Sequence, residues 1–229
     1  MNRPLLLGHR GMRALGTSHL SQPLAEENSL EAFEFALERG CDGFEFDVRR
    51  TRDGRNVIWH DAACRAREIA STEYAELADR QGSPPALLED VLRQFGHRAY
   101  FDIELKVAGC EESVVAALLA HPPVRGVIVS SFLPEVLGRL HELAPDLPLG
   151  YICDRRLVLS LWRELPIQVL LPHYSLVPLE LITEVHQSGL QIMTWTVNDS
   201  RKMLEFAEAR IDGLISDDPG LLYQTFHSG

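Results

Sequence analysis

The chain lacks most of the signals that assign a protein to a common class. Its 229 residues hold four cysteines, Cys41, Cys64, Cys110 and Cys153. None stands in a C-x-x-C pair, so a zinc ribbon or redox dithiol has no support; they read as reduced packing residues. No G-x-G-x-x-G or G-x-x-x-x-G-K-[ST] opens the first strand–helix unit, which removes the phosphate cradle of a dinucleotide or P-loop site. There is no G-x-S-x-G elbow and no cysteine in a nucleophile setting, so covalent serine or cysteine catalysis has no positive support. The run Leu5-Leu6-Leu7 is too short for a signal segment or a membrane span. The expectation is a cytoplasmic protein without stable membrane insertion.

Positive charge is also scarce. Lys and Arg total 22 against 33 Asp and Glu, a net charge of −11. Such a surface repels nucleic acid and anionic headgroups over the Debye length. A small anionic substrate stays possible, because a bound cation reverses the field locally. The 16 glycines and 13 prolines are dispersed, so no linker divides the chain. Residues 1–229 are expected to form one domain around a single core.

What the chain does have is alternation. Short apolar runs are expected as strands at 5–8, 43–48, 99–105, 127–131, 149–153, 168–171, 190–197 and 213–216. Val57–Trp59 reads as a short continuation after the turn Arg52-Asp53-Gly54. Amphipathic helices are expected at 28–39, 87–95, 112–120, 134–143, 157–164, 178–188, 200–209 and from Pro219 onward. In the first of these Asn28 is positioned as the cap, with Glu31 three residues later. Strict β/α alternation demands a parallel sheet, and eight units in this length fit a closed (β/α)8 barrel better than an open sheet. Residues 12–25 read as a long polar loop.

Function in such a barrel lies at the carboxyl ends of the strands. The polar residues found there are His9 and Arg10, Glu45 and Asp47, Glu104 and Lys106, Ser130, His173, Trp195 and Asn198, and Ser216 and Asp217. His60 and Asp61 end the short extension. Glu45 and Asp47 stand two apart on a strand and share one face, while Phe44, Phe46 and Val48 share the other. Adjacent carboxylates in a barrel mouth need a cation between them. With Glu104 they make a set of hard oxygen donors suited to Mg²⁺, Ca²⁺ or Mn²⁺. The competing reading is a salt-bridge network with Arg49, Arg50 and Lys106. His9 and His60 could serve as an acid/base pair, though chemistry alone does not single them out among nine histidines. His173 is a rim residue. The other six, His19, His97, His121, His141, His186 and His227, fall away from strand ends. Arg10 and Lys106 suit a phosphodiester oxygen. Trp195 suits either a pocket wall or simple packing.

These residues, in this order, resemble the glycerophosphodiester phosphodiesterase family. The matching stretches are Gly8-His9-Arg10-Gly11, Glu27-Asn28-Ser29, Glu45-Phe46-Asp47-Val48, Thr51-Arg52-Asp53-Gly54 and His60-Asp61. They continue with Glu104-Leu105-Lys106, Ser130-Ser131-Phe132, Trp195-Thr196-Val197-Asn198 and Ser216-Asp217-Asp218-Pro219. The resemblance covers nearly the whole chain. It implies a TIM barrel with one divalent cation held by Glu45, Asp47 and Glu104. It also implies His9 and His60 as the acid/base pair, and Arg10 and Lys106 as phosphate contacts. The implied reaction is metal-dependent hydrolysis of a glycerophosphodiester to an alcohol and glycerol phosphate, by a monomer or homodimer.

The chain departs from the family pattern in four places. The loop between Gly11 and Glu27 is long. Ser29 replaces the common Thr, Ala62-Ala63-Cys64-Arg65 follows His60-Asp61, and the insertion before the third strand is short. The alternatives are a lysophospholipase D-like enzyme, with Leu15, Leu20 and Leu24 of the long loop as an apolar entrance, and an inactive binding barrel.

Overall fold

Alternating apolar runs and amphipathic stretches leave each strand with a helix to cover its outer face, and the chain satisfies this by closing. The computed structural model describes residues 3–13, 25–78 and 82–227. Its strands are β1 (Leu5–Gly8), β2 (Gly43–Arg50), β3 (Tyr100–Leu105), β4 (Val127–Ser131), β5 (Leu149–Cys153), β6 (Val169–Pro172), β7 (Gln191–Thr194) and β8 (Gly213–Ser216). Each pairs in parallel with the next, and β1 pairs with both β2 and β8, so the eight form a closed barrel. The register at closure runs from Leu5↔Gly213 to Gly8↔Ser216. The (β/α)8 expectation is met.

The helices are α1 (Leu30–Glu38), α2 (Leu88–Phe95), α3 (Glu111–Ala120), α4 (Pro134–Leu143), α5 (Arg156–Leu159), α6 (Leu179–Gln187), α7 (Ser200–Glu208) and α8 (Pro219–His227). The fifth is shorter than expected, because the chain tightens into a 3₁₀ turn over Ser160–Arg163. The residue expected to cap α1 is also different. Ser29 sits extended at the N-cap and its hydroxyl accepts from the Ala32 amide, at 3.1 Å. Asn28, with φ of 60°, is turned inward instead. The Val57–Trp59 continuation is an antiparallel arm, Asn56–Ile58, folded back on the end of β2 with Val48 opposite Ile58.

Pleating sorts β2 as its sequence predicts. Phe44, Phe46 and Val48 point outward into the helix layer and are fully buried. Phe44 stacks on Phe33 of α1 at 4.3 Å, and Phe95 and Phe101 close the same cluster. At roughly 1.5–3 kcal/mol for each buried ring, this layer is a main source of stability. Inside the barrel lies a smaller apolar plug of Leu7, Ile128, Ile152, Val169, Leu171, Met193 and Ile215. All four cysteines are buried and unlinked; burial pushes the thiols of Cys41, Cys110 and Cys153 up to about 12, which keeps them protonated packing residues. Among the described residues no helix is long and apolar enough to cross a membrane. His19, Leu15, Leu20 and Leu24, and with them the apolar entrance expected from the three leucines, lie outside the described residues.

Candidate active site

The residues that end β1, β2 and β3 meet in one cavity of about 240 Å³ at the carboxyl end of the barrel. His9, Arg10, Glu45, His60, Glu104, Lys106 and Trp195 all line it. Asp47 lies directly beneath, 1% exposed. All eight residues proposed from the sequence are therefore brought together.

The backbone makes room for the first pair by a tight reversal. A Cβ at Gly8 would lie 1.9 Å from the carbonyl oxygen of Gly11, so glycine is required where the turn crosses itself. Arg10 is held at φ 51° and Gly11 at φ 78°. A non-glycine residue in the left-handed region carries strain, and such residues gather at functional sites. The Arg10 amide donates to Glu45 Oε2 at 2.9 Å, which ties this turn to β2.

His9 is oriented from the far end of the chain. Its Nδ1 lies 2.6 Å from Asp217 Oδ1, just after β8. Burial pushes the pKa of Asp217 up, but the His9 hydrogen bond and charge, with the Asn198 amide at 2.7 Å, hold it below its ordinary value. An ionised carboxylate only accepts, so Nδ1 carries the proton and Nε2 is left without it. That nitrogen faces Glu45 Oε2 at 3.9 Å. His60 is built in the same sense at the rim, with Nδ1 at 2.8 Å from Asp61 Oδ1. Burial lowers its pKa, and the opposing charge of Asp47 does not fully compensate. Its main-chain oxygen accepts from Arg49 at 2.8 Å.

Glu45, Asp47 and Glu104 each offer an oxygen, and these oxygens lie within 4.8 Å of one another. Two such charges repel by about 3 kcal/mol at an effective dielectric near 20, so the set requires cations. Lys106 supplies one, 2.9 Å from Asp47 and 2.5 Å from Glu104. Arg10 supplies another, with Nε 3.2 Å from Asp47 and a terminal nitrogen 2.7 Å from Glu27. Of the competing salt-bridge network, the Lys106 part forms, whereas the Arg49 and Arg50 side chains hold the main-chain oxygens of His60 and Gly109.

Compensation is uneven. Burial raises Asp47, yet Lys106, Arg10 and the Asn28 amide at 2.7 Å outweigh it and keep the group ionised. Burial, reinforced by Asp47 and Glu104, pushes Glu45 well above the carboxylate range. Burial and Asp47 push Glu104 up to about 7 against the pull of Lys106. Glu45 Oε1 is buried and has no hydrogen-bond partner among the described residues. An orphaned carboxylate oxygen beside two more carboxylates is a donor set missing its acceptor, and three hard oxygens fit a divalent cation.

The sequence reading missed three participants. Asp102 is 1% exposed, lines the cavity floor and is pushed up to about 7 by burial, against its Ser130 hydrogen bond. Asp217 was visible as a strand-end residue, but its partnership with His9 follows only from closure of β1 on β8. Asn28 was placed on a helix end, whereas its side chain and the Asp47 main chain form a reciprocal pair, with the Asp47 amide 3.2 Å from Asn28 Oδ1. Of the rim residues, His173 stands edge-on to Trp195 at 5.3 Å. Trp195 is half-buried, anchored by its indole N–H to the Leu171 carbonyl at 2.9 Å, and packs edge-on against Phe132. It is both a packing residue and a cavity wall.

Residues 9–221 match the Glycerophosphoryl diester phosphodiesterase family. A glycerophosphodiester phosphodiesterase of Caldanaerobacter subterraneus subsp. tengcongensis is 27% identical, over 99% of each chain. One from Bacillus subtilis is 24% identical, over 97% of this chain and 86% of that one. Among solved structures, a glycerophosphodiester phosphodiesterase from Parabacteroides distasonis superposes with a TM-score of 0.85 at 23% identity, covering 99% and 98% of the two chains. An Oleispira antarctica phosphodiesterase, solved with the product sn-glycerol-3-phosphate, gives 0.80 at 25% identity, covering 97% and 96%.

Proposed function

The chain belongs to the glycerophosphoryl diester phosphodiesterase family and is a phosphoric diester hydrolase; from that premise we propose that it cleaves glycerophosphodiesters with one divalent cation and two histidines. The catalytic unit is the single barrel domain spanning 1–229, acting in the cytoplasm as a monomer or homodimer. The observation that carries this reading is the convergence in one cavity of a buried, under-compensated carboxylate set with two imidazoles and two cationic side chains.

Glu45, Asp47 and Glu104 would hold the cation. When bound, it supplies Lewis-acid stabilisation of charge developing on a phosphoryl oxygen. The protein groups do the rest. Arg10 and Lys106, already poised over the carboxylates, turn a donor each toward the phosphodiester. One histidine takes the proton of the attacking hydroxyl, either water or the glycerol 2-hydroxyl. The new P–O bond forms as the bond to the departing alcohol breaks, and the other histidine protonates that leaving oxygen. Asp217 and Asp61 fix the Nδ1 side of each ring, leaving Nε2 to move protons. Trp195 walls the pocket against the glycerol carbons.

The test is hydrolysis of glycerophosphocholine after exhaustive chelation, then with Mg²⁺, Ca²⁺ or Mn²⁺ restored. Turnover should vanish and return. Full activity in a metal-free preparation overturns the ligand assignment. A good leaving group should rescue the histidine variant that lacks the acid and leave the variant that lacks the base inactive, which separates the two roles.

A further inference from the structure

We propose that Asp102 is a positioning residue of the cation site, its Oδ2 holding a water for the ion that Glu45, Asp47 and Glu104 would bind. The inference rests on the reading of those three as ligands.

Asp102 and Glu104 are two apart on β3 and share the inward face, with Asp102 one layer deeper. Across the parallel ladder Asp102 stands opposite Glu45, and Glu104 opposite Asp47. The floor of the site is thus a square of four carboxylates on neighbouring strands. Asp102 is 1% exposed. Its Oδ1 accepts from the Ser130 hydroxyl at 2.5 Å. Its Oδ2 has no hydrogen-bond partner among the described residues, and the residue lines the cavity. Glu45 Oε1, on the facing strand, is in the same condition.

Nearby protein donors are committed. Ser130 has one hydroxyl hydrogen and has given it. Lys106 is directed at Asp47 and Glu104. Leaving a buried carboxylate oxygen bare costs about 1–3 kcal/mol or more, so a donor must come from outside the chain. A water fits, since the floor is polar and joined to the cavity. Direct ligation does not fit as well: the oxygens of Glu45, Asp47 and Glu104 gather within 4.8 Å, and Asp102 is not one of that group. An outer carboxylate that accepts from a bound water makes the water a better electron donor to the ion. Removing such a partner typically lowers metal affinity about 10–100-fold.

The experiment titrates Mg²⁺, Ca²⁺ and Mn²⁺ by calorimetry into chelated full-length wild type, Asp102→Asn, Ser130→Ala and Glu45→Gln, each checked for native circular dichroism. Asn keeps the shape of Asp and removes the charge. Asp102→Asn should weaken the cation about 10–100-fold. Ser130→Ala, which frees but keeps the carboxylate, should weaken it less. If Asp102→Asn does not fold, Asp102→Ser carries the same expectation. Affinity within two-fold of wild type in the charge-neutral variant overturns the proposal and makes Asp102 an ordinary neutral hydrogen-bonding group. A wild type that binds no cation overturns the ligand reading itself, and this inference with it. Binding by wild type that Glu45→Gln abolishes and Asp102→Asn leaves intact removes the inference about Asp102 alone.

Discussion

The two halves of the barrel mouth obey one geometric rule and hold opposite materials. The turn after β1 and the inward faces of β2 and β3 present His9, Glu45, Asp47, Asp102 and Glu104. On the other half β4 to β8 contribute Ile152, Leu171 and Ile215, with Phe132, Trp195 and one exposed acid, Asp154, just beyond the strand ends. Pleating alone decides which residues point in, so the chemistry of each half is set by the identity of every second residue. The difference teaches that the barrel carries an electrostatic liability on one side and offsets it with close packing on the other. Lys106 joins the halves, its ammonium 5.8 Å over the ring of Phe132 while it pairs with the carboxylates.

The largest effect that would sharpen this contrast is catalytic. His9→Ala and His60→Ala should each lower kcat on a glycerophosphodiester with a poor leaving group by about 10²–10⁴-fold, with native circular dichroism. Under the proposed mechanism both act on one transition state, so the double variant should lose less than the product. Near-wild-type kcat in either single variant refutes the two-histidine mechanism.

Next comes stability. Ile128, 1% exposed in the apolar plug, should cost about 2–5 kcal/mol in urea unfolding when cut to Ala. Glu45→Gln in chelated protein should cost nothing and raise the midpoint, since Gln removes the cost of burying an acid whose pKa the folded site raises well above the carboxylate range. Equal losses at the two positions would break the comparison.

A third test uses pH. Asp102 and Glu104 titrate near 7 in the folded protein, and Glu45 is raised as well. An acid raised on folding binds more protons in the folded than in the unfolded state, so its contribution falls as pH rises from the ordinary carboxylate range toward about 7. Asp47 and Asp217 are lowered, and what they contribute is already present above pH 4 and is lost below it. His60, lowered by burial, works the other way just below the ordinary histidine value, one group against three. The melting temperature of chelated protein should therefore fall between pH 5 and 7.5, at about 2–4 °C per kcal/mol. Asp102→Asn should flatten the slope. A melting temperature that climbs steadily over that range contradicts the assignment of the buried acids.

The smallest effect is at the wall. Trp195→Phe removes the N–H to Leu171, a net loss of about 0.5–1.5 kcal/mol. It should raise KM for the glycerophosphodiester a few-fold with kcat nearly unchanged. A fall in kcat instead would move Trp195 from wall to chemistry.

Much of this arrangement was legible because it is written at period two. The spacing of Glu45 and Asp47 gave their shared face, and the flanking Phe44, Phe46 and Val48 gave the opposite one. What stayed hidden depended on closure or on local competition. Asp102 sits inside Tyr100–Leu105, where one acid among apolar neighbours reads as a strand like any other. Asn28 and Ser29 are both good caps, and the choice between them was made by Asp47, distant in sequence. The arm Asn56–Ile58 reversed direction because β2 runs on to Arg50 and needs an antiparallel partner there, which a run of three residues does not announce.

The His9–Asp217 pair spans 208 positions of sequence. Synthesis delivers His9 long before Asp217, which follows only after the strand that seals β1 has been made. Until then the His9 ring has no partner to choose its tautomer, and the carboxylates of β2 and β3 face an unsealed sheet. A nascent or truncated chain that stops before Gly213 thus has every proposed ligand and both histidines, yet no assembled centre. Phosphodiesterase activity in a lysate would count only molecules whose synthesis ran through β8, with half-made chains contributing mass and no turnover.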